Sequence, residues 1–166
     1  MERSLSKARA GGRTPDVESY WEAAKSGKAS SYRFVSLIGL KVFDPIEIVM
    51  LVARGLPFNA LTRFQRNTLL STSDIGELVA IKPRTLHRRK EQGRLAPDES
   101  DRLLRATRVF AKTLELFEGD ADATRRWLRA PAKALGGETP LRLSQTDLGA
   151  REVEALIDRL ERGVLI

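Results

Sequence analysis

Residues 82–94 read Lys-Pro-Arg-Thr-Leu-His-Arg-Arg-Lys-Glu-Gln-Gly-Arg, a concentration of side chains suited to hydrogen bonding with a polyanion. On a helix advancing about 100° per residue, Arg84, Arg88 and Glu91 lie opposite Leu86, with Thr85 and His87 on the flanks. Such a helix buries Leu86 as an anchor and extends long donors from its N-terminal half, as insertion into a DNA major groove requires. A guanidinium can make two hydrogen bonds to guanine, and a threonine hydroxyl can reach a base edge or a phosphate. Arg84, Thr85 and Arg88 are therefore expected to read sequence. Lys82, Arg89, Lys90 and Arg94 are expected to hold phosphates and fix register, helped by the hydroxyls of Ser71 or Thr72 on the preceding helix.

Other chemistries find little support. The chain has one histidine, His87, and no cysteine, which excludes disulfides and thiolate metal sites and argues against a histidine-rich metal site. No serine or carboxylate stands near His87 at a spacing that suggests a triad. Gly136 and Gly137 lack the preceding strand and the following Lys-Ser or Lys-Thr of a phosphate loop, so they read as a tight turn. No catalytic residue, cofactor or metal is expected, and the chain reads as a binding protein rather than an enzyme.

The elements that must position the reader are helical throughout. Ser71 with Asp74 forms a capping box, Ile75, Leu78 and Val79 give a short apolar face, and Ala80 ends that helix. Pro83 opens the next helix and Gly93 stops it, giving two short helices and a tight turn. Upstream, Pro45 starts a helix whose Ile46, Val49, Met50 and Ala53 recur at three- and four-residue spacing and are expected to face the core. A second helix is expected from Pro57 to Thr68. Downstream, a long helix is expected over 98–117, a short one over 121–129, a brief turn around Leu141 and Leu143, and a last helix bearing Val153, Leu156, Ile157 and Leu160 up to Gly163. No alternating strand pattern competes. The expected fold is all-α, a helix-turn-helix DNA-binding domain followed by a small helical domain. Residues 1–32, rich in Gly, Ser, Lys and Arg, are expected to form a mobile arm with at most one short helix.

The 166 residues carry a net charge of +7, distributed unevenly. Residues 1–53 have 8 basic and 6 acidic side chains, residues 54–112 have 13 and 6, and residues 113–166 have 8 and 10. The positive excess lies in the middle, where the reader is, which points to nucleic acid there and protein contact at the slightly acidic end. No apolar stretch follows the basic N-terminus, so nothing directs export or membrane insertion. A cytoplasmic protein, nucleoid-associated when bound to DNA, is expected.

Three blocks carry a resemblance to a known family: IKPRTLHRRKEQGRLAPDESDRLLR (81–105), RRWLRAPAKALGGETPLRL (125–143) and GAREVEALIDRLERGVLI (149–166). They resemble the Xre/MbcA/ParS-type antitoxins, above all those paired with RES-domain toxins, and the likeness runs from about Val42 to Ile166. It implies an antitoxin that represses its own operon through residues 33–118 and sequesters a NAD-depleting toxin through residues 119–166. The implied partners are a RES-domain toxin, operator double-stranded DNA and a second copy of the chain. The implied toxin contacts are Trp127, Leu135, Gly136 and Gly137 in the second block, and Arg162, Gly163, Val164, Leu165 and Ile166 at the tail, which in such antitoxins lies against the toxin's active-site entrance. Three apolar residues after a helix stop have little of their own domain to pack against, which agrees with a contact role. Trp127 suits a core position equally well. Two positions depart from the family pattern: Ala80 where a glycine is usual, and Lys82 where a small hydroxyl residue caps the helix. The competing reading is a free-standing transcriptional or partition regulator whose C-terminal domain oligomerises.

Overall fold

The computed structural model describes residues 12–27 and 30–164. Nine α-helices follow one another among them: α1 (Pro15–Lys25), α2 (Pro45–Arg54), α3 (Phe58–Thr68), α4 (Thr72–Leu78), α5 (Pro83–Gln92), α6 (Pro97–Leu116), α7 (Ala121–Arg129), α8 (Pro140–Leu143) and α9 (Asp147–Glu161), with 3-10 turns at Arg33–Ile38 and Lys133–Leu135. No strand occurs among the described residues, and none of their helices is long and apolar enough to cross a membrane. The fold is all-α, as expected.

Helix starts are set by local chemistry. Of the seven prolines, five are the first residue of a helix (Pro15, Pro45, Pro83, Pro97 and Pro140), where a missing N–H costs nothing and a fixed φ favours the helix. Side-chain caps complete the set. Asp44 Oδ1 accepts from the Ile46 and Glu47 amides, Asp120 Oδ1 from Ala123, and Ser71 and Asp74 exchange the reciprocal bonds of the capping box.

The core is one contiguous cluster contributed by all the long helices, with α6 as its spine. Leu103, Val109, Phe110 and Leu114 of α6 are buried, and Phe110 meets Phe64 of α3 edge-on at 6.2 Å. The last helix, α9, buries Val153, Leu156 and Ile157, and its Glu154 takes Arg108 Nε of α6 at 2.7 Å. Gly149 lets α9 begin against α8, since a Cβ there would lie 2.0 Å from the Leu143 carbonyl oxygen.

Two expectations are corrected. Residues 15–25 are not a mobile arm: Val17 and Tyr20 of α1 are buried in the core, and the Tyr20 hydroxyl donates to Glu115 of α6. Burial, then that carboxylate, holds the Tyr20 hydroxyl well above the ordinary phenol range. Asp16 adds ion pairs to Arg63 and Arg66 of α3 at 3.2 and 3.0 Å. Two buried side chains dock this helix, too few to register as a pattern. The second correction concerns α2, which buries Ile48 instead of the expected stripe. Ile46, Val49 and Met50 are 69%, 61% and 50% exposed, and Ala53 is exposed too. Helix α2 is apolar nearly all round, so spacing alone cannot say which face turns inward.

If α1 is an integral part of the core, Val17→Asp should lower the unfolding free energy by at least about 2 kcal/mol, because a carboxylate would be left without partners. A urea titration that returns the wild-type midpoint would restore the mobile arm.

Candidate functional site

Helices α4 and α5 form the two arms of a helix-turn-helix. The turn is tight: the Ala80 amide donates to Glu77 O and the Ile81 amide to Gly76 O at 2.7 Å, while Ala80 sits at φ 53°, in the left-handed region. Ile81 is buried behind the turn, and Lys82 begins α5 without a side-chain cap. Both sequence departures thus have structural expression, a strained alanine and an uncapped helix start.

No residue of α5 is fully buried. Leu86 is half-buried against the core, whereas Arg84, Arg88 and Glu91 are exposed, the orientation the helical projection predicts. The side chains of Arg84, Arg88, Lys82 and Lys90, all exposed, form no hydrogen bond or ion pair with another described residue. Thr85 is half-buried, and His87 Nε2 lies 3.4 Å from Glu91. On the preceding helix, Ser71 and Thr72 are exposed, with Thr72 Oγ1 accepting from Gln65 Nε2 at 3.3 Å.

Two of the expected phosphate donors are also engaged within the fold. Arg89 Nε donates to both Glu99 oxygens, at 2.8 and 3.1 Å, and this bond pushes the guanidinium pKa above its already high value. Glu99 is itself buried and also accepts from the Ala96 amide at 2.7 Å, so Arg89 holds α5 against the first turn of α6. Arg94 Nη1 donates to the Gly55 and Arg54 carbonyls at 2.7 and 3.3 Å, joining the end of α5 to the end of α2. Gly55, at φ 86°, permits this junction: a Cβ there would sit 2.1 Å from Leu95 O. The sequence shows these arginines among free ones with nothing to tell them apart, because their acceptors lie on other elements.

The C-terminal residues divide in the same way. Leu135, expected as a partner contact, is buried and packs in the core of the isolated chain. Gly136 and Gly137, at φ 68° and 82°, are exposed in a turn closed by the Gly137 amide on Ala132 O. Trp127 is half-buried against Phe117, with ring centroids 6.3 Å apart, and its remaining surface opens with Leu156, Leu160 and Ala132–Ala134 onto a shallow groove. Gly163 closes α9 at φ 66°, and Arg162 and Val164 are exposed. Leu165 and Ile166 lie outside the described residues.

A site that spacing did not reveal lies between these regions. Arg125 of α7 is buried. Its Nε and Nη2 donate to Asn67 O at 3.2 and 2.9 Å, Nη2 also reaches Gly12 O at 3.1 Å, and Nη1 reaches Asp122 at 2.8 Å. One turn on, Arg129 Nη2 donates to Leu69 O at 2.7 Å. Both arginines satisfy carbonyls at the C-terminal end of α3, where no further turn of helix supplies an amide.

The fold and its exposed guanidiniums define a helix-turn-helix protein that carries a second helical unit. Residues 47–108 match the antitoxin Xre-like helix-turn-helix domain, and residues 113–163 match the antitoxin Xre/MbcA/ParS C-terminal toxin-binding domain. Curated relatives named antitoxin Xre include one from Photorhabdus laumondii, 33% identical over 141 residues (84% of this chain, 95% of the relative). Another, from Yersinia enterocolitica, is 34% identical over 128 residues (76% and 86%), and one from Pseudomonas putida is 29% identical over 118 (70% and 72%). The chain belongs to the Xre antitoxin family.

Ala80→Gly should raise stability by about 0.5–1 kcal/mol, since glycine relieves the left-handed strain and gives back part of that gain as unfolded-state entropy. An unchanged or lowered thermal midpoint would mean that the turn carries no such strain.

Proposed function

We propose that this antitoxin represses its own operon by setting α5 in the DNA major groove as a dimer, and neutralises a RES-domain, NAD-depleting toxin through residues 119–166. One observation carries the DNA reading: of the cations on and around α5, Arg84, Arg88, Lys82 and Lys90 are free and face outward, whereas Arg89 and Arg94 are spent on holding the module together. Arg84 and Arg88 stand one helical turn apart on the exposed face and serve as base readers, with Thr85 beside them. Lys82 and Lys90 neutralise phosphates, with Ser71 and Thr72 adding hydroxyl contacts. The chain supplies no chemistry of its own; the toxin is restrained by occlusion.

For the toxin, the resemblance of the 125–143 and 149–166 blocks supports a contact surface built from Trp127, the Gly136–Gly137 turn, and the tail from Arg162 to Ile166. The exposure of Val164 after the Gly163 stop agrees with a tail that finds its packing on a partner. Apolar burial at about 25 cal/mol per Å² makes two or three such side chains worth several kcal/mol before ordering costs.

Arg84→Ala and Arg88→Ala are each expected to cost about 1–3 kcal/mol of specific operator affinity in a mobility-shift titration while leaving toxin rescue intact. Wild-type affinity in both variants would remove α5 as the reader. Deletion of residues 163–166 is expected to abolish rescue from the co-expressed toxin and to leave operator binding in place. Growth that continues in that strain would exclude the tail from neutralisation.

A further inference from the structure

We infer that the cleft between α1, the Arg33–Ile38 turn and α6 is a small-molecule site, and that it takes a planar aromatic ring carrying one anionic group, a carboxylate or a phosphate. The cleft encloses about 520 Å³, within the range of sites that hold small ligands. Its floor is apolar, from Ala24 of α1 and Ala111 of α6, and aromatic surface borders it at Trp21 and Phe34. Small side chains between aromatic ones leave room for a ring, and removing the faces of that ring from water is favourable.

The charges of the lining give the rest of the ligand. Four cations, Lys25, Arg33, Arg108 and Lys112, stand around one carboxylate, Glu115, which already accepts from the Tyr20 hydroxyl. Three of the four have acceptors beyond the cleft: Lys25 on Glu22 at 2.7 Å, Arg108 Nε on Glu154 at 2.7 Å, and Lys112 on Asp158 at 3.3 Å. Arg33 is the exception. Its Nε is buried without an acceptor, and the side chain forms no ion pair with another described residue. A buried donor left bare costs free energy, so its presence in the fold calls for an acceptor from outside. A carboxylate or phosphate oxygen is that acceptor, and a neutral ring alone leaves the guanidinium uncompensated.

Both groups that would meet the ligand are held in place beforehand. The Arg33 guanidinium lies over the Phe43 ring, 4.7 Å from its centroid, which restrains its plane. Trp21 is seated against Gly119, where a Cβ would come within 2.6 Å of the indole, and the Arg13 guanidinium lies 5.8 Å from its centroid. Such preorganisation lowers the ordering cost of capture. Along α6, Arg108 stands nine residues beyond Glu99, the anchor of Arg89, which is about 14 Å at 1.5 Å per residue. The cleft shares no residue with the operator or toxin surfaces proposed above, and the inference rests on neither.

Calorimetric titration of the full chain with naphthoate and with adenosine monophosphate tests it, the two probes distinguishing a carboxylate from a phosphate source. At least one should bind once per chain with a dissociation constant below about 1 mM. Naphthamide and inorganic phosphate, which carry the ring or the anion alone, should bind at least about tenfold more weakly. Arg33→Gln should weaken the probe that binds by at least about tenfold, because the anion loses its charge-assisted bonds, and Arg33→Lys should recover part of the loss. Ala24→Phe fills the floor, leaves every charge in place and should abolish binding. Arg84→Ala, outside the cleft, should bind as the wild type does. Failure of both probes to bind at about 5 mM, equal binding of either control, or wild-type affinity in Arg33→Gln or in Ala24→Phe would each overturn the assignment.

Discussion

The arrangement depends on how the C-terminal end of α3 is finished. A helix ends with carbonyls that have no amide above them, and buried carbonyls left bare are costly. Here Arg125 of α7 supplies the missing donors to the buried Asn67 O, and Arg129, one turn on, adds a bond to Leu69 O at the exposed rim. A buried guanidinium is itself expensive unless its donors are used, and Arg125 uses Nε, Nη1 and Nη2. Each group thus removes the other's penalty. The contact fixes the C-terminal unit to the helix that leads into α4 and, through Gly12, to the approach to α1. The RRWLR segment therefore works first as a joint, and only its outer residues are free for other tasks.

Much of this architecture was legible in the order of residues because it is decided locally. Pro45 and Pro83 mark helix starts, Ser71 and Asp74 announce α4, Gly93 ends α5, and Leu86 against Arg84 and Arg88 gives the facing of α5. What escaped was decided at a distance. Arg89 differs from Arg88 only in meeting Glu99, ten residues on, and Arg94 only in meeting a carbonyl on another helix. Val17 and Tyr20 dock α1 with two side chains, below any periodic signal. Helix α2 has apolar residues on every side, so its inward face depends on what surrounds it, and Leu135 is interior because the turn around Gly136 folds it back.

Charge on this protein is consequently a poor guide to function until its partners are known. The central segment holds the whole positive excess, yet part of it is structural: Arg89, Arg94, Arg102 and Arg105 all have partners within the fold. The exposed pairs Arg102–Asp98 and Arg105–Asp101 contribute little stability singly, and their effect is to engage those cations within the fold. The cations left over are few and clustered, which is the condition for reading a groove instead of coating any polyanion.

Helix α5 buries no side chain completely and rests on Leu86, the Arg89–Glu99 pair and a strained turn at Ala80. Little apolar contact opposes its fraying, so it stands at the loose end of the molecule's ladder of local stabilities. On the operator reading proposed above, a duplex seated against α5 would first have to order it, and the grip on DNA would be set below what the same side chains would give on a rigid support.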